Sequence, residues 1–204
     1  MGIRPFDIAR TRVTLFQALL RARDQRGGKY KILEDHERKP LSYDDILVRV
    51  FALGGKLDGL IKRNETVGLM LPTGAGCVIT FFALHAIGRT PAMLNFTAGT
   101  MNLRSAIEQA NVGKILTSRK FIKLAKLEAL EAELSKHAKF IYLEDIGKSI
   151  DLGDKIIALF KSKTPKAFSA KGSPSRLGRG CNGPSSFWKK HTVAHSPGHV
   201  MEKR

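Results

Sequence analysis

Cysteine is scarce in this chain: Cys77 and Cys181 are the only two. Their spacing matches neither a metal-binding pair nor a redox dithiol, and two residues cannot build a disulfide framework. That usage fits a reducing compartment. Long apolar runs are also missing. None reaches the ~18 residues of a membrane span, and the first residues, MGIRPFDIARTRVTLF, lack the apolar core and cleavage site of a secretory leader. A soluble, cytoplasmic protein is the expectation. Acidic residues are few beside basic ones, 18 Asp+Glu against 35 Lys+Arg, for a net charge of +17. Such an excess suits phosphate-rich partners, but it is unevenly spread. Residues 161–204 carry 10 basic and 1 acidic side chains, whereas residues 1–160 carry 25 and 17. More than half of the excess therefore lies in under a quarter of the length. Aromatics are sparse there: Phe168, Phe187 and Trp188 are too few for a base-stacking platform. Nucleic acid is not the expected partner.

What is present is organised around Thr66–Asn95. Val67 to Leu71 is an almost unbroken apolar run of strand length, as in a strand covered on both faces. Pro72, Thr73 and Gly74 interrupt it with turn chemistry. From Ala75 to Ile87 apolar residues are too many for one stripe, which predicts a largely buried helix. Gly88 stops it and Pro91–Leu94 begins a second strand. A strand–helix–strand unit with short connections is the right-handed crossover of an α/β fold.

The flanking segments extend this unit. Residues 14–25 read as a helix stopped by Gly27 and Gly28, and residues 30–33 as a short strand followed by a turn at 36–40. Ser42 is placed to cap a long helix, with Asp44 and Asp45 in the first turn where the helix dipole favours negative charge. After the loop Asn95–Thr100 come a helix over 101–110, a strand over 114–116, one long helix over 119–137, a strand over 140–143 and a helix over 152–160. The long helix puts Phe121, Leu124, Leu127, Leu130 and Leu134 on its apolar side. Four strands alternating with helices predict an open, mostly parallel, doubly wound sheet. From Thr164 onward no apolar period is sustained, and four of the eight prolines, three of the six histidines and the only tryptophan fall there. The chain therefore divides into an α/β domain, residues 1–163, and a basic tail, residues 164–204, expected to be disordered.

Chemically suggestive motifs are few. His191, His195 and His199 recur every fourth residue, a spacing that would stack imidazoles for a transition metal on a helix. Pro197 and Gly198 oppose that helix, so they read as surface histidines and no metal site is expected. The turn 72–76 opens a helix where a phosphate could meet N–H groups. It lacks the Lys and Ser/Thr of a phosphate loop and the full three-glycine dinucleotide fingerprint, which leaves a tight connection. Asp44/Asp45 and Glu144/Asp145 are neighbours in sequence, point in different directions, and read as cap and strand-end residues. No catalytic residue is identified.

Four segments in order carry a family resemblance. Leu41-Ser42-Tyr43-Asp44-Asp45-Ile46-Leu47 resembles the first core motif of the adenylate-forming, AMP-binding acyl-activating enzymes. VGLMLPTGAGCVITFFALHAIGRTPAMLNFTAGT resembles their strand–helix and second core motif, and ILTSRKFI and IYLEDI fit the next crossover. Within that family the segments are most similar to the ligase part of the bacterial acyl–acyl-carrier-protein synthetase/2-acylglycerophosphoethanolamine acyltransferases. The resemblance spans roughly residues 10–160. It implies the first α/β subdomain of the acyl-activating fold and a parent chemistry in which a fatty acid and ATP, with Mg²⁺, give an acyl-adenylate. An acyl-carrier-protein thiol then displaces AMP. It places Asn95, Phe96 and Thr97 beside the acyl pocket of a complete enzyme. It also implies association with the inner membrane face in that enzyme.

The family's Gly/Ser/Thr-rich phosphate loop ending in Pro-Lys, its Tyr-Gly-x-Thr-Glu motif, its ribose-binding aspartate and its C-terminal lysine have no counterpart here. The expectation is a truncated ligase without cofactor of its own, inactive alone and prone to self-association through apolar surface left uncovered. Periodicity and family wording vanish together after Thr164, so residues from about 165 read as a frameshifted translation. The alternative is a basic interaction module whose tail binds nucleic acid or anionic membrane.

Overall fold

The computed structural model describes residues 13–35 and 38–168. Helix α1 (Leu15–Arg26) opens with a capping box: Thr14 Oγ1 accepts from the Gln17 amide at 3.1 Å, and Gln17 Oε1 accepts from the Thr14 amide at 3.0 Å. Gly27, at φ +89°, ends it. Strands β1 (Lys31–Leu33) and β2 (Leu41–Ser42) form a small antiparallel ribbon. The second of these was not foreseen, being two residues long. Ser42 then caps α2 (Tyr43–Leu60) as its sequence predicts. Its Oγ accepts from the Asp45 amide at 3.2 Å while Asp45 Oδ2 accepts from Ser42 N at 2.8 Å and Ser42 Oγ at 2.6 Å. The Ser42 hydroxyl, then its amide, hold the Asp45 carboxyl below its usual range.

The central unit follows: β3 (Thr66–Leu69), α3 (Ala75–Ala86) and β4 (Thr90–Met93), with Gly88 at φ +71° turning the chain between helix and strand. Next come α4 (Thr100–Gln109), β5 (Lys114–Thr117), α5 (Arg119–Leu124), α6 (Glu128–Leu134) and β6 (Lys139–Tyr142). Helices α7 (Leu143–Ser149), α8 (Leu152–Lys163) and α9 (Pro165–Phe168) complete the described chain. The four main strands are all parallel, in the order β4-β3-β5-β6. This is the expected doubly wound α/β sheet.

Alternation along the strands divides the core in two. Val67, Leu69, Leu71 and Leu116 face a layer containing Phe16 and Leu20 of α1, Ile46, Leu47, Val50 and Leu57 of α2, and Ile79, Ala83 and Leu84 of α3. Met70, Leu94 and Ile115 face the other layer, with Leu103 and Ile107 of α4, Phe121 and Ile122 of α5, and Leu134 of α6. Gly68 lies between crowded neighbours, where an added Cβ would come 2.8 Å from Leu94 Cδ1 and 3.0 Å from Ile115 Cγ1.

Three expectations are corrected. The single helix over 119–137 is two helices. Lys126 takes a left-handed conformation (φ +52°), and the Leu127 amide bonds back to Ile122 O at 2.9 Å, closing α5 before α6 begins. The break turns Leu124 to solvent, although the uninterrupted pattern puts it on the apolar side. Leu143 does not extend the last strand but starts α7, which burial of Ile146 against the first layer holds in place. Helix α8 runs three residues past its expected end, with Asp151 and Asp154 forming its capping box. The spaced histidines, Cys181 and Trp188 lie outside the described residues.

Candidate functional site

In an open parallel sheet, ligands sit beyond the carboxyl ends of the strands, where successive crossovers leave toward opposite faces. Here that point lies between β3 and β5. The chain after β3 passes into α3 in the first layer, and the chain after β5 passes into α5 in the second. The two strand ends are joined by the Met70 amide donating to Leu116 O at 3.0 Å and Thr117 Oγ1 donating to Met70 O at 2.7 Å. Thr117 is fully buried, so its hydroxyl is committed to this structural bond.

Beyond β3, Pro72, Thr73 and Gly74 lead into α3, whose first turn has no side-chain cap; the first backbone bond is Val78 N to Gly74 O at 3.2 Å. Pro72 and Thr73 are exposed. Uncapped amides of a twelve-residue helix, opening at the strand ends, give this rim a partial positive potential suited to an anionic group. No lysine or arginine of the loop supplements them.

The rim beyond β5 and β6 carries a polar network. Ser118 Oγ donates to Glu144 Oε1 at 2.7 Å, and the same oxygen accepts from the Lys120 amide at 3.2 Å. Burial pushes the Glu144 carboxyl upward, but the bond from Ser118 and the neighbouring backbone amides outweigh it and hold the group below its usual range. Glu144 Oε2 is buried without a hydrogen-bond partner. Arg119 makes a two-pronged pair with Asp145, 2.6 and 2.7 Å, and stacks 3.9 Å over the Tyr142 ring. The Tyr142 hydroxyl donates to Glu131 Oε1, and this bond, ahead of burial, raises the phenol above its usual range. Glu144 and Asp145 therefore do point to different partners. The bonds linking Ser118 to Glu144 and Arg119 to Asp145 each join residues 26 apart in sequence, and no local spacing signals them.

Asn95, Phe96 and Thr97 follow β4 on the same edge of the sheet. Asn95 Oδ1 accepts from the Thr97 amide at 3.1 Å and the Thr97 hydroxyl at 2.8 Å, a closed turn of exposed side chains. Phe96 turns inward, its ring edge-on to Phe121 at 4.9 Å. The structure thus brings the 95–97 turn, the 72–74 loop and the Ser118–Glu144 network to one end of the sheet. Cys77 and His85 on α3 are poor nucleophile and base candidates. Burial pushes the thiol up and the imidazole down, and His85 lies 4.6 Å from the Phe81 ring. Among the described residues no group of three His, Cys, Asp or Glu side chains could hold a metal ion, and no helix is long and apolar enough to cross a membrane.

No family model matches the sequence. Solved structures that share its fold include adenylate-forming enzymes. The unliganded O-succinylbenzoate coenzyme A synthetase of Bacillus subtilis superimposes with a TM-score of 0.55 at 14% identity, over 67% of this chain and 26% of that one. VinN in complex with 3-methylaspartate gives 0.55 at 17% identity, over 78% and 40%. The nonribosomal peptide synthetase FmoA3, bound to α-methyl-L-serine-AMP, gives 0.52 at 14% identity, over 69% and 15%. The match covers well under half the length of each of these proteins, and at such identities the likeness is one of fold.

Proposed function

We propose that this chain is the first α/β subdomain of an ATP-dependent acyl-activating ligase of the adenylate-forming type. In the complete enzyme a fatty acid would attack the α-phosphate of ATP to give an acyl-adenylate and pyrophosphate, and an acyl-carrier-protein thiol would then release AMP, in phospholipid acyl recycling. The observation that carries this reading is the four-stranded parallel sheet, built by the segments that resemble the acyl-activating core motifs and shared with adenylate-forming enzymes. In this reading the subdomain supplies a scaffold and one wall, with the turn Asn95-Phe96-Thr97 bordering the acyl group.

The residues described do not fit ATP and Mg²⁺ by themselves. The 72–74 loop carries no cation for a triphosphate, and no acidic cluster stands at the strand ends to hold a metal. No step of adenylation is derived from them, because stabilising the transferred phosphoryl needs donors fixed on its oxygens. The purified chain is accordingly expected to show no acyl-dependent exchange between pyrophosphate and ATP. Clear exchange with any fatty acid would mean that this sequence holds a complete site of another kind.

The reading itself is tested in the coding DNA. All three frames across and beyond codons 165–204 are translated, and a polypeptide restoring a Thr-Ser-Gly-Ser-x-Gly-x-Pro-Lys-like loop is joined in frame and assayed. Exchange with fatty acids and thioester formation on acyl-carrier protein are the expected results. A loop sequence absent from every frame would defeat the frameshift reading, and a restored polypeptide without exchange activity would defeat the ligase assignment.

A further inference from the structure

Helix α8 packs the wrong way round for an amphipathic surface helix. Its buried positions are small: Ala158 packs into the first layer of the core, and Ser162 is buried as well. Its large apolar residues face out: Leu152, Ile156, Ile157, Leu159 and Phe160 are each more than half exposed. At 3.6 residues per turn these five spread over an arc of about 160° opposite Ala158. An apolar face this dense marks a surface that something covers.

The charges around it indicate what. Lys155 and Lys161 flank the apolar arc on either side, and Lys163 follows at its C-terminal end, while Lys166 is paired with Asp24 at 2.7 Å; no acidic residue lies between 155 and 168 in the sequence. Beside Leu159 opens a cleft of ≈ 430 Å³, walled by Arg23, Asp44, Asp45, Val48, Arg49, Leu159, Ser162 and Lys163. Its acids are already engaged: Asp44 accepts from Arg23 Nε at 2.7 Å, and Asp45 is held by Ser42 and lies 3.5 Å from Lys31 Nζ. Arg49 and Lys163 form no ion pair among the described residues and remain available to an incoming anion. Apolar side chains flanked by lysines, with an arginine–lysine cleft at their margin, match a layer of acyl chains topped by anionic headgroups.

We infer that α8 docks this protein on an anionic lipid surface, with Leu152, Ile156 and Phe160 entering the acyl boundary and Arg49 and Lys163 meeting phosphate in the adjoining cleft. This site is distinct from the strand ends discussed above and does not depend on the ligase reading. Lys155 and Lys161 can bury their methylene stems beside the apolar arc and keep their ammonium groups at the headgroups.

The test uses the full chain with Phe160→Trp and Trp188→Phe, which leaves one indole, on the exposed face of α8. Vesicles are phosphatidylcholine alone or phosphatidylcholine and phosphatidylglycerol in equal amounts. The expected result is a shift of indole emission to shorter wavelength with the mixed vesicles only, weakened by salt. Leu152→Ser with Ile156→Ser, or Arg49→Glu with Lys163→Glu, is expected to lower vesicle affinity at least about tenfold. All four positions are exposed, and circular dichroism checks that the fold survives. Sedimentation with vesicles while the indole emission stays unchanged would assign binding to other basic residues and overturn the proposal. So would no binding at all. Emission already at short wavelength without lipid, with a concentration-dependent rise in mass, would show that polypeptide covers the face instead.

Discussion

Arg89 caps the C-terminus of helix α2 from inside the protein. It is only 5% exposed, and its Nη2 and Nε donate to the Ile61 carbonyl at 2.7 and 3.2 Å. Nη1 donates to the Ile87 carbonyl, and Nη2 also reaches Asp58 Oδ1 at 2.7 Å. One guanidinium thus fastens the ends of α2 and α3 together just before β4. Removing it leaves buried carbonyls unsatisfied, so Arg89→Met is expected to cost about 3 kcal/mol. Asp58 is largely exposed and its pair is screened, so Asp58→Asn is expected to cost under about 0.5 kcal/mol. Urea unfolding midpoints of the two variants separate these effects; equal losses would mean that the ion pair, not the carbonyl bonds, holds the junction.

Gly68 is required by packing. Its backbone is ordinary extended strand, so the restriction comes from Leu94, Ile115 and Val112, all within 3.1 Å of where a Cβ would stand. In a core at crystal-like density even one methyl must displace neighbours. Gly68→Ala is expected to destabilise by about 1–3 kcal/mol and Gly68→Val to prevent accumulation of soluble protein. A Gly68→Val chain that melts like the parent would show that the second layer is more loosely packed than described.

Acid sensitivity follows from Glu65. Burial pushes its carboxyl up, but the bond from Lys114 Nζ (2.9 Å) and the Lys62 amide outweigh it, so its folded pKa lies below the ordinary 4.5. Glu144 behaves alike, with Ser118 as the leading donor. The unfolded chain then binds more protons between the two values, so stability is full above pH 4.5 and drains as pH falls through the folded pKa. Unfolding free energy measured from about pH 6 to about pH 3.5 is expected to fall. In Lys114→Met the half-buried Glu65 loses its cation, its folded pKa rises, and the acid-side loss is expected to shrink. An unchanged slope in that variant would remove Glu65 as the cause.

Much of this architecture is legible in residue chemistry. Ser42 with Asp45 three positions on announces the start of α2, and the apolar run 67–71 followed by Pro72 and Gly74 announces β3 and its turn. The features missed depend on partners distant in sequence. Lys126 adopts a left-handed conformation that no glycine or asparagine advertises, and the break follows from how Leu127 and Leu134 reach the core. The Ser118–Glu144 and Arg119–Asp145 contacts exist only once β5 and β6 lie side by side. At the site, the turn 95–97 was picked out through family resemblance. Its inward Phe96 and its closed Asn95–Thr97 bonds could be seen only in the structure.

Helix α8 gives the last prediction, because periodicity alone cannot say which side of a helix packs. Its apolar period is plain in the sequence, yet the side that meets the core is the one bearing Ala158 and Ser162. Two features fix that choice. Ala158, fully buried, lets the helix lie close against α2, and Lys56 Nζ grips Asp154 at 2.6 Å near the helix start. The bond from Lys56 holds the Asp154 carboxyl below its usual range, and the same bond raises the Lys56 ammonium. Ala158→Leu overfills the close contact and is expected to cost about 1–3 kcal/mol, taken mainly from the docking of α8. Hydrogen exchange followed by mass spectrometry is expected to show faster exchange across residues 152–163 while β3 and β5 keep their protection. Ala158→Gly leaves the contact open and is expected to loosen the same segment less. Uniform acceleration through the sheet in Ala158→Leu would mean that α8 belongs to the cooperative core and cannot be lifted from α2 by itself.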